Sequence, residues 1–398
     1  MEWKVTWRYR QINYGTTIGT IQNITQRTFI KNNLNGNRIR LLFSNAYGNE
    51  PLILDHVVIA KKKKNQDRLE QYIDVTYQNQ MKIFIGPHEE FYSDELTWES
   101  EQDTEIVISV YIKQTTNVES ACSTWAARSW YTEYGVDGDY TKLESFDRKK
   151  SEEIYPYVAA DQNKANIVVG ITAMEVFVQE EVRTIAVFGD SITHMSYYSD
   201  ALIEELYARY PGKVTLINLG IGGNRILHDS TYIEEMPGKG KCFGIAAMKR
   251  FEEDLYGLYK PNIIVFLEGI NDMMHPYQFH HLNEVVTKEM LVDGVKKLIA
   301  FSHAHNSKIY LGTVMPFCND DMEWLPESEK VRNEYNTWIR EQVLSDGIID
   351  FDRVIRDEKQ KEYMKKGTHI GDGLHPNYEG GIRMAKEVLN NISILDLK

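Results

Sequence analysis

Cysteine is nearly missing from this 398-residue chain: the three present, Cys122, Cys242 and Cys318, lie far apart, are odd in number and form no CxxC pair. A disulfide framework and a thiolate zinc site are therefore both disfavoured. Basic charge is also short, because 45 Lys and Arg against 58 Asp and Glu leave a net charge of −13. Nucleic acids and anionic membranes both call for a basic footprint, so neither is expected as a partner. Long apolar runs are lacking too. The longest, such as Ile263 to Leu267, are strand-sized and far short of a bilayer span. The first fifteen residues, Met1 to Gly15, hold no apolar core and no small-residue cleavage site. The expectation is a reduced, cytoplasmic protein, unless a signal has been trimmed away. Nothing here fixes the oligomeric state.

What is present is ordinary for a globular chain, with 42% hydrophobic and 26% charged residues. The length exceeds what one compact core usually holds, so two domains are expected. Up to about residue 180 the pattern is that of strands. Ile106, Ile108, Val110 and Ile112 alternate with Val107, Ser109 and Tyr111, and Arg38–Phe43 and His56–Ala60 are further short runs. Glycine-rich turns at 35–37, 47–49 and 135–139 punctuate them. Residues 1–180 thus suggest an all-β sandwich or jelly-roll-like domain. The lysine run Lys61–Lys64 is expected at a solvated hairpin tip.

Residues 181–398 alternate strands with helices. Strands are expected at 184–188, 214–218, 263–267, 308–314 and 348–350, with helices at 198–210, 245–258, 283–303, 327–344 and 379–389. This order predicts a three-layer α/β domain with a parallel, flavodoxin-like sheet. Ligands of such sheets gather beyond the carboxyl ends of the strands.

Three strand ends carry polar signatures there, and a fourth segment lies near the C-terminus. The first strand runs into Phe188–Thr193 (FGDSIT). A serine between strand and helix presents its hydroxyl, and its N–H at the helix start favours an oxyanion. Serine is equally a favoured N-cap. The second strand ends in Asn218–Asn224 (NLGIGGN), where glycine lets backbone N–H groups approach a ligand, although a plain turn would look the same. The third ends in Glu268–Asp272 (EGIND). The amide of Asn271 can donate to an oxyanion without carrying charge, or can close the strand with an Asx-turn. The fourth segment is Gly371–Pro376 (GDGLHP). An aspartate three residues before a histidine can hold its tautomer and stabilise its cation, and Pro376 sets the start of the last helix.

Together, in this order, the four segments resemble the blocks of the SGNH/GDSL hydrolases, a family of serine esterases, over about residues 180–398. The stretch Arg38–Leu52 and the β-rich region after it resemble the N-terminal domain of a bacterial subgroup of these enzymes. The resemblance implies Ser191 as nucleophile, His375 as general base and Asp372 as its orienter. As oxyanion donors it implies the Ser191 N–H, Gly223 and Asn271, with adjacent Gly222 an alternative to Gly223. Acyl transfer through an acyl-enzyme is implied, with no metal or organic cofactor. The substrate class implied is a small ester, with an acetyl group on a carbohydrate or other polar alcohol favoured over a lipase-like or thioesterase-like range. Gly-x-Ser-x-Gly is absent, which disfavours the ordinary α/β-hydrolase elbow.

Neighbouring groups admit other roles. Asp190 and Asp272 read as structural, and His194 is expected slightly more often on the surface than in the site. His275, His281, His303 and His305 suggest a metal centre, but their spacing fits no HExxH-like pattern. Trp98, Trp125, Trp130, Tyr131 and Tyr134 could stack on sugars in a carbohydrate-binding protein with a vestigial hydrolase fold. Such aromatics are more often core.

Overall fold

A computed structural model describes residues 1–63, 68–159, 164–318 and 326–393. The chain divides into two compact units, Met1–Val182 with Leu206–Ile217, and Arg183–Glu205 with Asn218–Lys398. Among the described residues no helix is long and apolar enough to cross a membrane.

The first unit holds two five-stranded sheets whose strands pair antiparallel. One runs Glu2–Arg8, Ile171–Val178, Gly36–Ser44 and Glu90–Tyr92, with Leu96–Ser100 also on Gly36–Ser44. The other runs Trp130–Val136, Ile24–Asn32, Thr104–Ile112, His56–Lys63 and Leu69–Asp74. Trp7 and Tyr9, from the N-terminal segment, meet Trp130 of the second sheet edge-on at 5.6 and 5.2 Å. The two sheets therefore share one aromatic core, as in a sandwich. The alternation seen in Thr104–Ile112 understates its burial. Val107 packs with Phe29, Ala60 and Leu69 on the second face, where Tyr72 and Tyr131 cover it. Lys61 corrects an expectation: it is a buried strand residue, its ammonium over the Trp98 ring and 3.4 Å from Glu101. Its aliphatic stem suits the interior while the charge finds a partner. Lys64 lies outside the described residues.

The second unit is built on one parallel-type sheet: β1 (Arg183–Gly189), β2 (Val214–Gly220), β3 (Ile263–Leu267), β4 (Lys308–Gly312) and β5 (Gly347–Ile349). Their order is β2-β1-β3-β4-β5, the flavodoxin-like order. Pairs β1/β3, β3/β4 and β4/β5 are parallel. Every residue of β2 and β3 is buried; β3 is a continuous apolar run, while β2 also buries Thr215 and Asn218. The helices are α1 (Ser191–His194), α2 (Tyr197–Arg209), α3 (Ala247–Glu252), α4 (Ile270–Gln278), α5 (Lys288–Ala304), α6 (Pro326–Glu341), α7 (Phe351–Ile355) and α8 (Tyr378–Asn391). Strand order reverses at β1, and the polar ends of β1, β2 and β3 converge there.

Two features of this half depart from the sequence reading. Segment Leu206–Ile217 groups with the first unit, where Asn33 Nδ2 donates to the carbonyls of Tyr210 and Val214 at 3.1 and 2.8 Å. Helix α4 begins directly after Gly269, at φ 122, so Asn271 stands in a first helical turn and not in a strand-end turn. Pro276 inside that helix hides it from a sequence reading.

Candidate active site

Strand β1 ends at a glycine for a steric reason. A Cβ on Gly189 would lie 2.3 Å from the Leu267 carbonyl and 2.4 Å from Thr193 Oγ1. Asp190 then caps α1, its carboxylate accepting the Ile192 N–H at 3.0 Å. Burial pushes this carboxyl up to about 7, against the pull of the Ile192 N–H. Ser191 is the first residue of α1, where a backbone N–H has no acceptor within the helix.

His375 Nε2 lies 2.8 Å from Ser191 Oγ, and Nδ1 lies 2.6 Å from Asp372 Oδ2. Asp372 Oδ1 accepts the N–H groups of Leu374 and His375, each at 3.0 Å. Burial works to raise the Asp372 carboxyl, yet its bond to His375 and these N–H groups prevail and hold it at about 2. An ionised Asp372 accepts a hydrogen bond from Nδ1–H, which keeps the proton on Nδ1 and leaves Nε2 free to accept from the serine hydroxyl. The loop is organised by a residue the sequence did not single out. His369 Nδ1 accepts the N–H groups of Gly371 and Gly373 at 3.2 and 3.0 Å.

Beyond β2, the N–H of Asn224 donates to the carbonyl of Ile221 at 3.2 Å and closes a four-residue turn around the paired glycines. Gly223 has φ +73, which glycine alone adopts freely, and the Phe243 ring lies against its α-carbon. Gly222 N–H donates to His194 Nδ1 at 3.0 Å. The choice between the two glycines is thereby narrowed. Among the described residues no acceptor faces the N–H of Gly223 or of Ser191. His194 itself is 5% exposed, which corrects the expectation that it faces solvent. The chain fold brings β2 over α1, and Asn218 Nδ2 binds the Thr193 carbonyl there at 2.7 Å.

Asn271 Nδ2 donates to the Asn224 carbonyl at 3.0 Å, which leaves its second hydrogen unassigned. Asp272 accepts the N–H groups of Ile226 and Leu227 at 2.7 and 3.0 Å. Its burial raises the carboxyl to about 6. Beneath these segments lies a guanidinium that sequence reading missed. Arg250 Nη1 donates to the Leu219 carbonyl and to Asp254, and Nε to Asn224 Oδ1, each at 2.8 Å. Its Nη2 reaches the Gly189 carbonyl at 3.1 Å and Glu268 at 3.4 Å. One buried cation thus ties together the ends of β1, β2 and β3. Burial pushes the Glu268 carboxyl up to about 8, against the pull of Arg250.

The other histidines go separate ways. His275 binds Thr231 Oγ1 at 2.9 Å, His281 the Tyr232 carbonyl at 2.7 Å, His303 Asp346 at 2.9 Å and His305 the Phe301 carbonyl at 2.9 Å. Among the described residues no group of three or more His, Cys, Asp or Glu could hold a metal ion. Of the aromatics considered for sugar stacking, Trp98, Trp130 and Tyr134 are buried in the first unit. Their rings face core, so they offer no sugar platform.

Comparison with curated protein sequences gives no match. Among solved structures, LAE5, an alpha/beta hydrolase enzyme from the metagenome of Lake Arreo, Spain, is 19% identical with a TM-score of 0.40. It covers 53% of this chain and 95% of its own. A variant of Axe2, an acetyl xylan esterase from Geobacillus stearothermophilus, is also 19% identical, with TM-score 0.40 and coverage of 53% and 94%. TesA is 17% identical, with TM-score 0.37 and coverage of 52% and 97%. The sequence profile of the GDSL-like Lipase/Acylhydrolase family matches residues 187–381, which span all four polar segments. Over residues 187–381 this chain is similar to the GDSL-like lipase/acylhydrolase family.

Proposed function

We propose that the protein is a serine ester hydrolase in which Ser191 attacks the carbonyl, His375 moves the proton and Asp372 orients His375. The observation that carries this reading is the continuous relay from Ser191 Oγ through the His375 ring to Asp372, with contacts of 2.8 and 2.6 Å. His375 Nε2 accepts the hydroxyl proton as Oγ bonds to the ester carbon. The negative oxygen is held by the N–H groups of Ser191 and Gly223 and the free hydrogen of Asn271 Nδ2. His375 then returns the proton to the leaving alcohol. Water, deprotonated by the same ring, releases the acid from Ser191.

The substrate we propose is a short acyl ester, with acetyl on a carbohydrate or other polar alcohol as its type. The Phe243 ring supports this choice. It closes over Gly223, beside the proposed oxyanion position, and is itself backed by His275 at 5.1 Å. A rate profile over p-nitrophenyl esters from acetyl to dodecanoyl, with acetylated xylo-oligosaccharides alongside, tests it. We expect kcat/KM to peak at acetyl and fall about tenfold or more by octanoyl, as a filled pocket rejects added methylenes. A maximum at long chains would make the protein a lipase instead.

A further inference from the structure

The Gly222 N–H has a designated acceptor, and that acceptor belongs to the helix turn that carries Ser191. Helix α1 is a single turn, closed by the Met195 N–H on the Ser191 carbonyl and the His194 N–H on the Asp190 carbonyl, both at 2.9 Å. His194 sits at its end, three residues after Ser191. Gly220 packs directly on it, since a Cβ there would meet the His194 nitrogen at 2.3 Å. The ring reaches on to Gly222. A Cβ on Gly222 would lie 3.4 Å from His194 Nδ1 and 3.9 Å from Ser191 Cβ, so the bond lies beside the nucleophile.

Two adjacent glycines are the least constrained dipeptide a chain can hold. The turn from Ile221 to Asn224 has three peptide planes. The last is fixed by the Asn224 N–H on the Ile221 carbonyl, and the first by the Gly222 N–H on His194 Nδ1. The middle plane carries the Gly223 N–H, the donor assigned above to the oxyanion. Because Nδ1 accepts a backbone N–H, it is unprotonated, and the ring proton resides on Nε2.

We infer that His194 is a positioning residue for the oxyanion hole: its Nδ1 locks the glycine turn to the nucleophile's helix and so sets the direction of the Gly223 N–H. This rests on the serine-hydrolase reading of the same site. A donor already aimed at the developing charge needs no reorganisation during reaction. Loss of the lock therefore lowers kcat and leaves ground-state binding nearly unchanged.

The test uses the full chain with three variants and p-nitrophenyl acetate as probe. His194→Leu keeps bulk and removes the acceptor. His194→Asn puts an amide oxygen where Nδ1 stood, and His194→Gln places its amide one bond farther out. We expect His194→Leu to lose about 10- to 100-fold in kcat with KM within about threefold, and His194→Asn to stay within about fivefold of the wild type. His194→Gln should resemble His194→Leu, and this Asn/Gln contrast decides the matter even where the leucine variant folds poorly. The substrate-free protein labelled with 15N-glycine gives a readout apart from turnover. The Gly222 amide resonance should hold its position in His194→Asn and move in His194→Leu. Wild-type kcat in a folded His194→Leu, or equal losses in the Asn and Leu variants, would overturn the inference while leaving the Ser191 assignment standing. Turnover that survives Ser191→Ala would overturn the underlying reading, and the inference with it.

Discussion

Arg250 Nη2 donates to the carbonyl of Gly189, two residues before Ser191, at 3.1 Å. The same guanidinium binds the Leu219 carbonyl and the Asn224 side chain, so the ends of β1 and β2, which lead into Ser191 and Gly223, share one cation. The Phe188 ring covers it at 3.8 Å, which excludes water from these bonds.

Replacing Arg250 by Met keeps its volume but removes the cation that binds the buried Asp254 carboxylate. Urea denaturation at neutral pH should show a loss of about 3–5 kcal/mol, the cost of breaking a buried ion pair by removing one partner. Esterase turnover should fall with it, and Arg250→Lys should recover part of both. A Met variant as stable as the wild type would show that the guanidinium does not hold these segments.

Glu268 gives a pH signature of opposite sign to the usual carboxylate. Burial raises its folded value to about 8, reinforced by Asp190 and Asp272 and opposed by Arg250. An unfolded glutamate titrates near about 4.3. Between those values the native state keeps a proton that the unfolded chain has lost, so stability falls as pH rises through this window. Glu268→Gln keeps a hydrogen-bonding side chain and removes that titration. Its urea midpoint should depend less steeply on pH between about 5 and 8 than the wild type's, although Asp190 and Asp272 still contribute. Identical slopes would mean that Glu268 is ionised in the folded protein throughout.

Asn271 and Asp272 are neighbours with separable roles. Asn271→Ala should cut kcat by roughly 10²–10³ with a much smaller change in KM, because its bond strengthens only as charge develops on the substrate oxygen. Asp272→Asn can no longer accept both the Ile226 and Leu227 N–H groups, so it should cost about 1–3 kcal/mol of stability and leave turnover of the folded protein largely intact. Steady-state kinetics at a temperature where both variants are folded separates the two. The reverse pattern would exchange the roles.

The polar strand ends were legible in the sequence because each is a short, contiguous segment with its own chemistry, and the parallel sheet followed from apolar runs separated by helix-length stretches. The residues that hold those segments together were not. Gly189 and Arg250 are 61 positions apart, and no spacing rule links them. A signal does exist in α3 and its continuation: Ala247, Arg250, Phe251, Asp254 and Leu255 are all buried, at the i, i+3, i+4 rhythm of a core-facing stripe. An arginine and an aspartate four apart within an apolar stripe point to a buried ion pair. His194 is harder to read, since its partner is a backbone N–H and leaves no mark in side-chain pattern. Helix α4 was hidden because Pro276 and the glycine before it imitate a loop.

The central claim is that Ser191 is the nucleophile, and the most direct measurement is covalent capture of the active-site serine. The protein would be incubated with a serine-directed organophosphonate, then digested, and the modified residue located by mass spectrometry. The account predicts one phosphonylated peptide carrying Ser191, loss of esterase activity in step with labelling, and neither label nor activity in a folded Ser191→Ala variant. Turnover should drop by about three or more orders of magnitude in that variant. A label on another residue, with Ser191→Ala still fully active, would contradict it.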